Sequence, residues 1–126
     1  MKEVMAIIRM NKINQTKKSL IEAGIPSMHA RECLGRGKGL VDLELLKGAE
    51  QGYEEAISLL GNSQRLIPKR MVSIIVPDKL VKKAVSAIII ANRTNKPGDG
   101  KIFVLPVHDA IRVRTGETGD ETLDEG

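Results

Sequence analysis

Four consecutive residues, Gly98-Asp99-Gly100-Lys101, set two glycines around an acid with a cation directly behind them. Glycine reaches positive φ without steric cost, so successive backbone N–H groups can turn toward one point and form a concave anion nest. Pro97 stiffens the entry to that turn, and Lys101 brings a positive charge beside it. Further on, Arg112 and Arg114 alternate with Ile111 and Val113. That alternation predicts a short strand over Ala110–Thr115 with both guanidinium groups on one face. Two forked donors side by side suit a polyphosphate better than a single carboxylate. Taken separately, Gly-Asp-Gly is an ordinary turn and Arg-x-Arg a solvated strand face. Their arrangement around one apolar run, Ile102-Phe103-Val104-Leu105, points to a nucleotide-phosphate site.

The same inventory argues against catalysis and points to a ligand-binding protein. No Gly-x-x-x-x-Gly-Lys-Ser/Thr run is present, which excludes a P-loop hydrolase. His29 and His108 lie outside any nucleophile or metal pattern, and Cys33 is the single cysteine, expected to be a small buried hydrophobe. A nucleotide site without a base or a positioned water binds without turnover, as a sensor does. RNA binding on a sheet requires several stacking aromatics, and the chain has only Tyr53 and Phe103, the latter expected in the core. The longest apolar run, residues 87–91, is far too short to cross a membrane, and Arg9 interrupts the N-terminal apolar patch as no signal peptide would allow. The expected location is cytoplasmic.

The elements that hold this loop follow from hydrophobic period. Glu3–Arg9 carries Val4-Met5-Ala6-Ile7-Ile8, apolar on both faces, as a central strand requires. A helix follows, with Asn11 or Asn14 as N-cap and Gly24 just past its end. Met28–Leu34 reads as a second strand and Met71–Val76 as a third. Asp78 is expected to cap a helix to about Asn92, its inner face formed by Leu80 or Val81, Ala84, Val85, Ile88 and Ile89. A fourth strand runs from Lys101 to Pro106. Between strands two and three lies a long loop, residues 36–69, flexible and basic at its start, with a short helix expected over Glu50–Leu60. Displaced by 67 residues, Val4–Ile8 falls on Met71–Ile75 and Leu20-Ile21 on Ala87-Ile88. This repeat implies two strand–helix–strand halves, an α+β ferredoxin-like split βαβ fold. Helices cover one sheet face. The other is apolar as well, so association must bury it.

Charge is uneven along the chain. The net charge is +4, yet five of the 16 acids and none of the 20 bases lie beyond Arg114. The body up to Thr115 therefore carries 20 bases against 11 acids, which favours anionic ligands or partners. The expected organisation is one domain over residues 1–116 and an acidic tail over 117–126, disordered or only loosely docked.

From Thr94, the run Thr-x-x-x-Gly-Asp-Gly-Lys-Ile-Phe-Val, followed by Arg112-x-Arg114-Thr115-Gly116, resembles the PII nitrogen-regulatory signalling family. The likeness extends from Met1 to about Gly116 and weakens between Gly35 and Lys69. It implies a trimer, either of one chain or mixed with a paralogous subunit, with nucleotide sites in the clefts between subunits. ATP or ADP with Mg²⁺ is the implied ligand, and 2-oxoglutarate the implied effector. By the same resemblance Gly98, Asp99, Gly100 and Lys101 form the phosphate loop, and Arg112 and Arg114 reach across the cleft. Thr94 lies near the adenine, and Ile75 contributes backbone to its pocket. Gly35, Gly37 and Lys38 lie at the base of the long loop, and Lys69 pairs with the distal carboxylate of 2-oxoglutarate.

The chain departs from the family pattern in two places. The usual Gly-x-Gly-Arg-Gln-Lys-Gly is shortened to Gly35-Arg36-Gly37-Lys38-Gly39, without the glutamine that joins Mg²⁺ and 2-oxoglutarate; Gln51 and Gln64 are the candidates to replace it. Leu46 stands where the family carries its uridylylated tyrosine, so that modification is not expected, and Tyr53 is expected to be a loop contact. The rewritten loop is similar to the PII branch tied to nitrogen fixation in methanogenic archaea. That likeness implies regulation of nitrogenase component 1 (dinitrogenase) by direct contact. The alternative is a general PII regulator of an ammonium transporter or glutamine synthetase.

Overall fold

The computed structural model describes residues 1–36 and 66–123. Among the described residues, four strands and two helices follow one another as expected: β1 (Lys2–Arg9), α1 (Ile13–Glu22), β2 (His29–Gly35), β3 (Ile67–Val76), α2 (Val81–Asn92) and β4 (Lys101–Pro106). The sheet is antiparallel throughout, in the order β2-β3-β1-β4. This is the ferredoxin-like split βαβ arrangement, with β1 and β3 in the centre and both helices on one face. β3 starts at Ile67, four residues before the expected Met71, so Lys69 is a strand residue and not part of the loop. The segment 37–65, which includes the expected helix over Glu50–Leu60, lies outside the described residues.

The core follows from strand alternation. Val4, Ala6 and Ile8 on β1 and Val72, Ile74 and Val76 on β3 face the helices and are buried. Leu20 and Ile25 close over them from the α1 side, and Ala84, Ala87 and Ile88 from α2. Full burial of each large aliphatic side chain contributes about 1.5–3 kcal/mol. The repeat is real, but its offset is 68, not the expected 67. Val4 corresponds to Val72, Ile8 to Val76 and Leu20 to Ile88, every pair buried, whereas an offset of 67 would place Val4 on half-buried Met71. A slip of one residue exchanges the two faces of a strand, and apolar runs filled on both faces conceal it.

The helix starts differ from expectation. Each helix is entered through a 3₁₀ turn, Met10–Lys12 before α1 and Asp78–Leu80 before α2, without a side-chain cap in either. Asn11 and Asn14 therefore cap nothing. Asp78 instead holds the α-amino group of Met1 at 3.0 Å and Lys2 Nζ at 3.6 Å. These cations, the amine first, keep its carboxyl below the usual range. The end of α1 is as expected: Gly24 at φ 82° donates to Ile21 O, and Ile25 N–H to Leu20 O, which closes the last turn. Between the helices, buried Asn92 donates through Nδ2 to Thr16 Oγ1 and to Ile88 O, both at 2.9 Å.

The sheet face away from the helices carries Met5, Ile7, Met71, Ile75, Phe103 and Leu105 by register. Arg31 of β2 lies against Met71 Sδ at 3.2 Å on this face, and neither α1 nor α2 covers it. Phe103, expected in the core, lies here with 46% of its surface exposed, and Cys33 is only half-buried.

Candidate nucleotide-phosphate site

Between the end of α2 and the start of β4, residues 94–100 fold around the carboxylate of Asp99. Its Oδ2 accepts the N–H groups of Thr94 at 2.8 Å and Asn95 at 3.0 Å. Its Oδ1 accepts the Thr94 hydroxyl and, at 2.6 Å, Nη1 of Arg9. These donors, those of Thr94 first, hold the Asp99 carboxyl well below the usual carboxylate range. All the good acceptor positions of its carboxylate are occupied, so that side chain shapes the loop.

Three residues of the loop have positive φ: Asn95 at 64°, Gly98 at 97° and Gly100 at 107°. Gly100 is obligatory, because a Cβ there would overlap the Ile7 carbonyl oxygen and lie 3.0 Å from its carbon. At Gly98 a Cβ would meet only the end of the Arg9 side chain, at 3.2 Å. The two glycines therefore serve different purposes. Gly100 lets the loop press against the backbone of β1, while Gly98 turns the exposed rim. The amides of Gly98 and Asp99 donate to no group among the described residues, as an anion nest requires.

Cations surround this rim. Arg9 faces Lys69 across β1–β3, and Ile7, two residues back on β1, faces Lys101 on β4, so all three basic side chains leave the same sheet face. Lys69 Nζ lies 3.4 Å from Gly98 O. Lys101 is exposed and makes no ion pair among the described residues. On the helix side of the loop, a cleft of about 360 Å³ runs between α2 and β4, lined by Val85, Ile89, Asn92, Arg93, Gly100 and Ile102 among others.

Other expected residues lie elsewhere. Gly35 ends β2 opposite Ile67, close to Lys69, whereas Gly37 and Lys38 are outside the described residues. Ile75 is on the apolar sheet face but six residues along β3 from Lys69, about 20 Å at strand rise. Arg112 and Arg114 follow the opposite end of the sheet, where Pro106 pairs with Lys2. They do not share a strand face. Residues 113–115 form a turn, with Gly116 N–H bonded to Arg112 O at 2.7 Å and a single bridge between Ile111 and Thr118. Arg112 is engaged within that turn, 3.6 Å from a Glu117 carboxylate oxygen and 3.3 Å from Glu121 O, while Arg114 has no partner among the described residues. The turn extends into the acidic segment. Residues 117–123 are folded, Gly119 N–H bonding Ala110 O and Asp120–Thr122 forming a 3₁₀ turn. No hydrogen bond or ion pair among the described residues links this turn to the loop at 94–100. The loop and the arginine turn are therefore separate within one chain.

Arg9 is the residue that the sequence reading missed. Its partners are 85–90 positions away, and a charged residue closing an apolar strand is too common to stand out.

The nitrogen regulatory protein P-II family model matches residues 1–117. A protein of Methanothermococcus thermolithotrophicus, called "nitrogen fixation nifHD region GlnB-like protein 2", is 46% identical over 95% of this chain and 96% of its own length. A protein of Methanobacterium ivanovii with the same description is 44% identical over 98% and 99%. The nitrogen regulatory protein P-II of Rhodobacter capsulatus is 40% identical over 98% and 100%. Among solved structures, PII of Arabidopsis thaliana bound to citrate superposes with a TM-score of 0.71 at 31% identity, covering 95% of this chain and 86% of that one. With the split βαβ sheet and the Asp99-centred loop in place, the chain belongs to the P-II family of nitrogen regulatory proteins.

Proposed function

We propose that this chain is a PII-type sensor that binds ATP or ADP with Mg²⁺, and 2-oxoglutarate, and regulates nitrogen fixation by direct contact with nitrogenase component 1. The observation that carries the reading is the loop at 94–100, a glycine-turned nest with free amides and the uncommitted cation Lys101 beside it. The separated half-sites favour a ligand held between copies of the chain: the loop of one subunit supplies amides and Lys101, and the turn of the next supplies Arg112 and Arg114. The Glu117 ion pair is exposed and worth about 1 kcal/mol or less, so a triphosphate can displace it. Trimer formation covers the open apolar sheet face. Phosphate oxygens and water supply most ligands of Mg²⁺ in such sites. Lys69, beside Gly98, would receive 2-oxoglutarate. Binding is the whole task of this site, because Asp99, the carboxylate within it, is committed to loop donors.

The link to nitrogen fixation rests on the methanogen relatives, whose descriptions place them in a nifHD region. The P-II protein of Rhodobacter capsulatus, similar over nearly the full chain, supports the second reading, a general regulator of an ammonium transporter or glutamine synthetase. No helix among the described residues is long and apolar enough to cross a membrane. The deciding experiment is titration calorimetry with MgATP, with and without 2-oxoglutarate, followed by affinity capture from nitrogen-fixing cells. Absence of MgATP binding refutes the sensor. Capture of a transporter or glutamine synthetase without dinitrogenase selects the second reading.

A further inference from the structure

We propose that Arg9 is a positioning residue for the phosphate loop: acting through Asp99, it sets the loop conformation and cancels a negative charge that would otherwise oppose a bound polyphosphate. The inference rests on the nucleotide reading above and adds a residue from the opposite end of the sequence. Three contacts carry it. Nη1 of Arg9 lies 2.6 Å from Asp99 Oδ1 and 3.4 Å from Thr94 Oγ1, and Nη2 lies 3.0 Å from Pro97 O. The guanidinium thus spans both limbs of the loop, the limb after α2 and the limb before β4. A flexible Gly-rich loop cannot do this for itself. The Arg9 and Asp99 side chains are each only 26% exposed, so solvent screens their attraction less than at an open surface.

A nest that contains a carboxylate is a poor place for an anion unless that charge is met. Asp99 organises the amides of Thr94 and Asn95, and Arg9 meets its charge from the side of the sheet. The fork matters as well as the charge. Planar guanidinium reaches Asp99 and Pro97 O together, whereas an ammonium is a point charge and holds one at a time. Arg9 is also the last residue of β1, opposite Lys69 in the ladder, so strand pairing fixes its root.

The test uses the full chain with Arg9→Ala, Arg9→Lys, Asp99→Asn and the double variant Arg9→Ala/Asp99→Asn. MgATP affinity by calorimetry is expected to fall about tenfold in Arg9→Ala, the effect of losing a charged hydrogen bond, with Arg9→Lys intermediate. Because Arg9 acts through Asp99, the double variant should bind no more weakly than the weaker single one. Losses that multiply would mean that Arg9 contacts phosphate directly and would overturn the proposal, as would unchanged affinity in Arg9→Ala. Amide hydrogen exchange of the ligand-free chain gives a second readout. Thr94 and Asn95 should exchange about tenfold faster in Arg9→Ala, with the central amides of β1 and β3 unchanged. Acceleration throughout the sheet would reduce Arg9 to general stability and refute the assignment. If the unsubstituted chain fails to bind MgATP, the nucleotide reading falls, while the exchange comparison still decides whether Arg9 sets the loop.

Discussion

Replacing each glycine of Gly98-Asp99-Gly100 by alanine, one at a time, separates loop geometry from ligand contact. At Gly100, alanine must tolerate φ of 107°, a region costing an L-residue roughly 1–3 kcal/mol. Its Cβ would also overlap Ile7 O and approach Ile8 Cα to 3.4 Å, both backbone atoms of the central strand. Relief requires moving β1, whose alternate residues Ala6 and Ile8 are core, or breaking the start of β4. The sum is roughly 2–6 kcal/mol of destabilisation, combining strain with an overpacking cost of 1–3 kcal/mol. At Gly98 the backbone strain is similar in kind, but the new Cβ meets a side-chain terminus at 3.2 Å that can swing aside. Gly98→Ala should therefore cost roughly 1–2 kcal/mol of stability while weakening MgATP binding, because the rim changes shape. Urea unfolding, followed by the midpoint at constant slope, reads the first quantity, and calorimetry at low temperature reads the second. If Gly100→Ala unfolds within about 1 kcal/mol of the parent chain, or the two variants are equally destabilised, the distinct roles assigned to the two glycines are wrong.

Lys101→Ala should weaken MgATP binding by about 1.5–3 kcal/mol with stability unchanged, the range for a hydrogen bond to a charged group; unchanged affinity by calorimetry rejects its role. Because its folded-state pKa is depressed, Asp99 contributes stability that is complete above the ordinary carboxylate value of 3.8 and is lost as pH falls below it. Acid titration monitored by loop amide signals should therefore show residues 94–100 still ordered at pH 4, and Asp99→Asn should remove the remaining acid dependence; loss of loop order near pH 5 in the parent chain contradicts this. Leu20→Ala, which empties a fully buried position between α1 and the sheet, should cost about 2–5 kcal/mol in urea unfolding. Deleting residues 51–60 should preserve assembly and MgATP binding but abolish regulation of the target; a dissociated species on sizing would show that the segment is structural.

Much of the fold was legible in the sequence because strands and helices declare themselves by local period. β1, filled on both faces, reads as central from Val4–Ile8 alone. The same fullness concealed its register, and only the packing of Val4 and Val72 against the helices showed the offset to be 68. Helix ends were harder. Gly24 is a local backbone device and was read correctly, whereas Asp78 looked like a cap and instead binds the chain's own amino terminus, which only folding brings near.

The loop at 94–100 and the arginine turn divide in the same way. Its glycines and Lys101 were evident from residue type, since positive φ and charge are properties of the local chain. The turn at Arg112 was not: alternation suggested a strand, but Arg112 N–H bonds Glu117 O at 2.8 Å and bends the backbone first. Sequence alone determined which groups could meet a polyphosphate, because charge and backbone freedom belong to each residue. The tertiary structure alone decided that Asp99 is committed inside the loop, that Arg9 reaches it from β1, and that Lys101 and the arginine turn start from opposite ends of one sheet. Those are distances between residues remote in the chain, set by strand pairing and burial, and no local pattern encodes them.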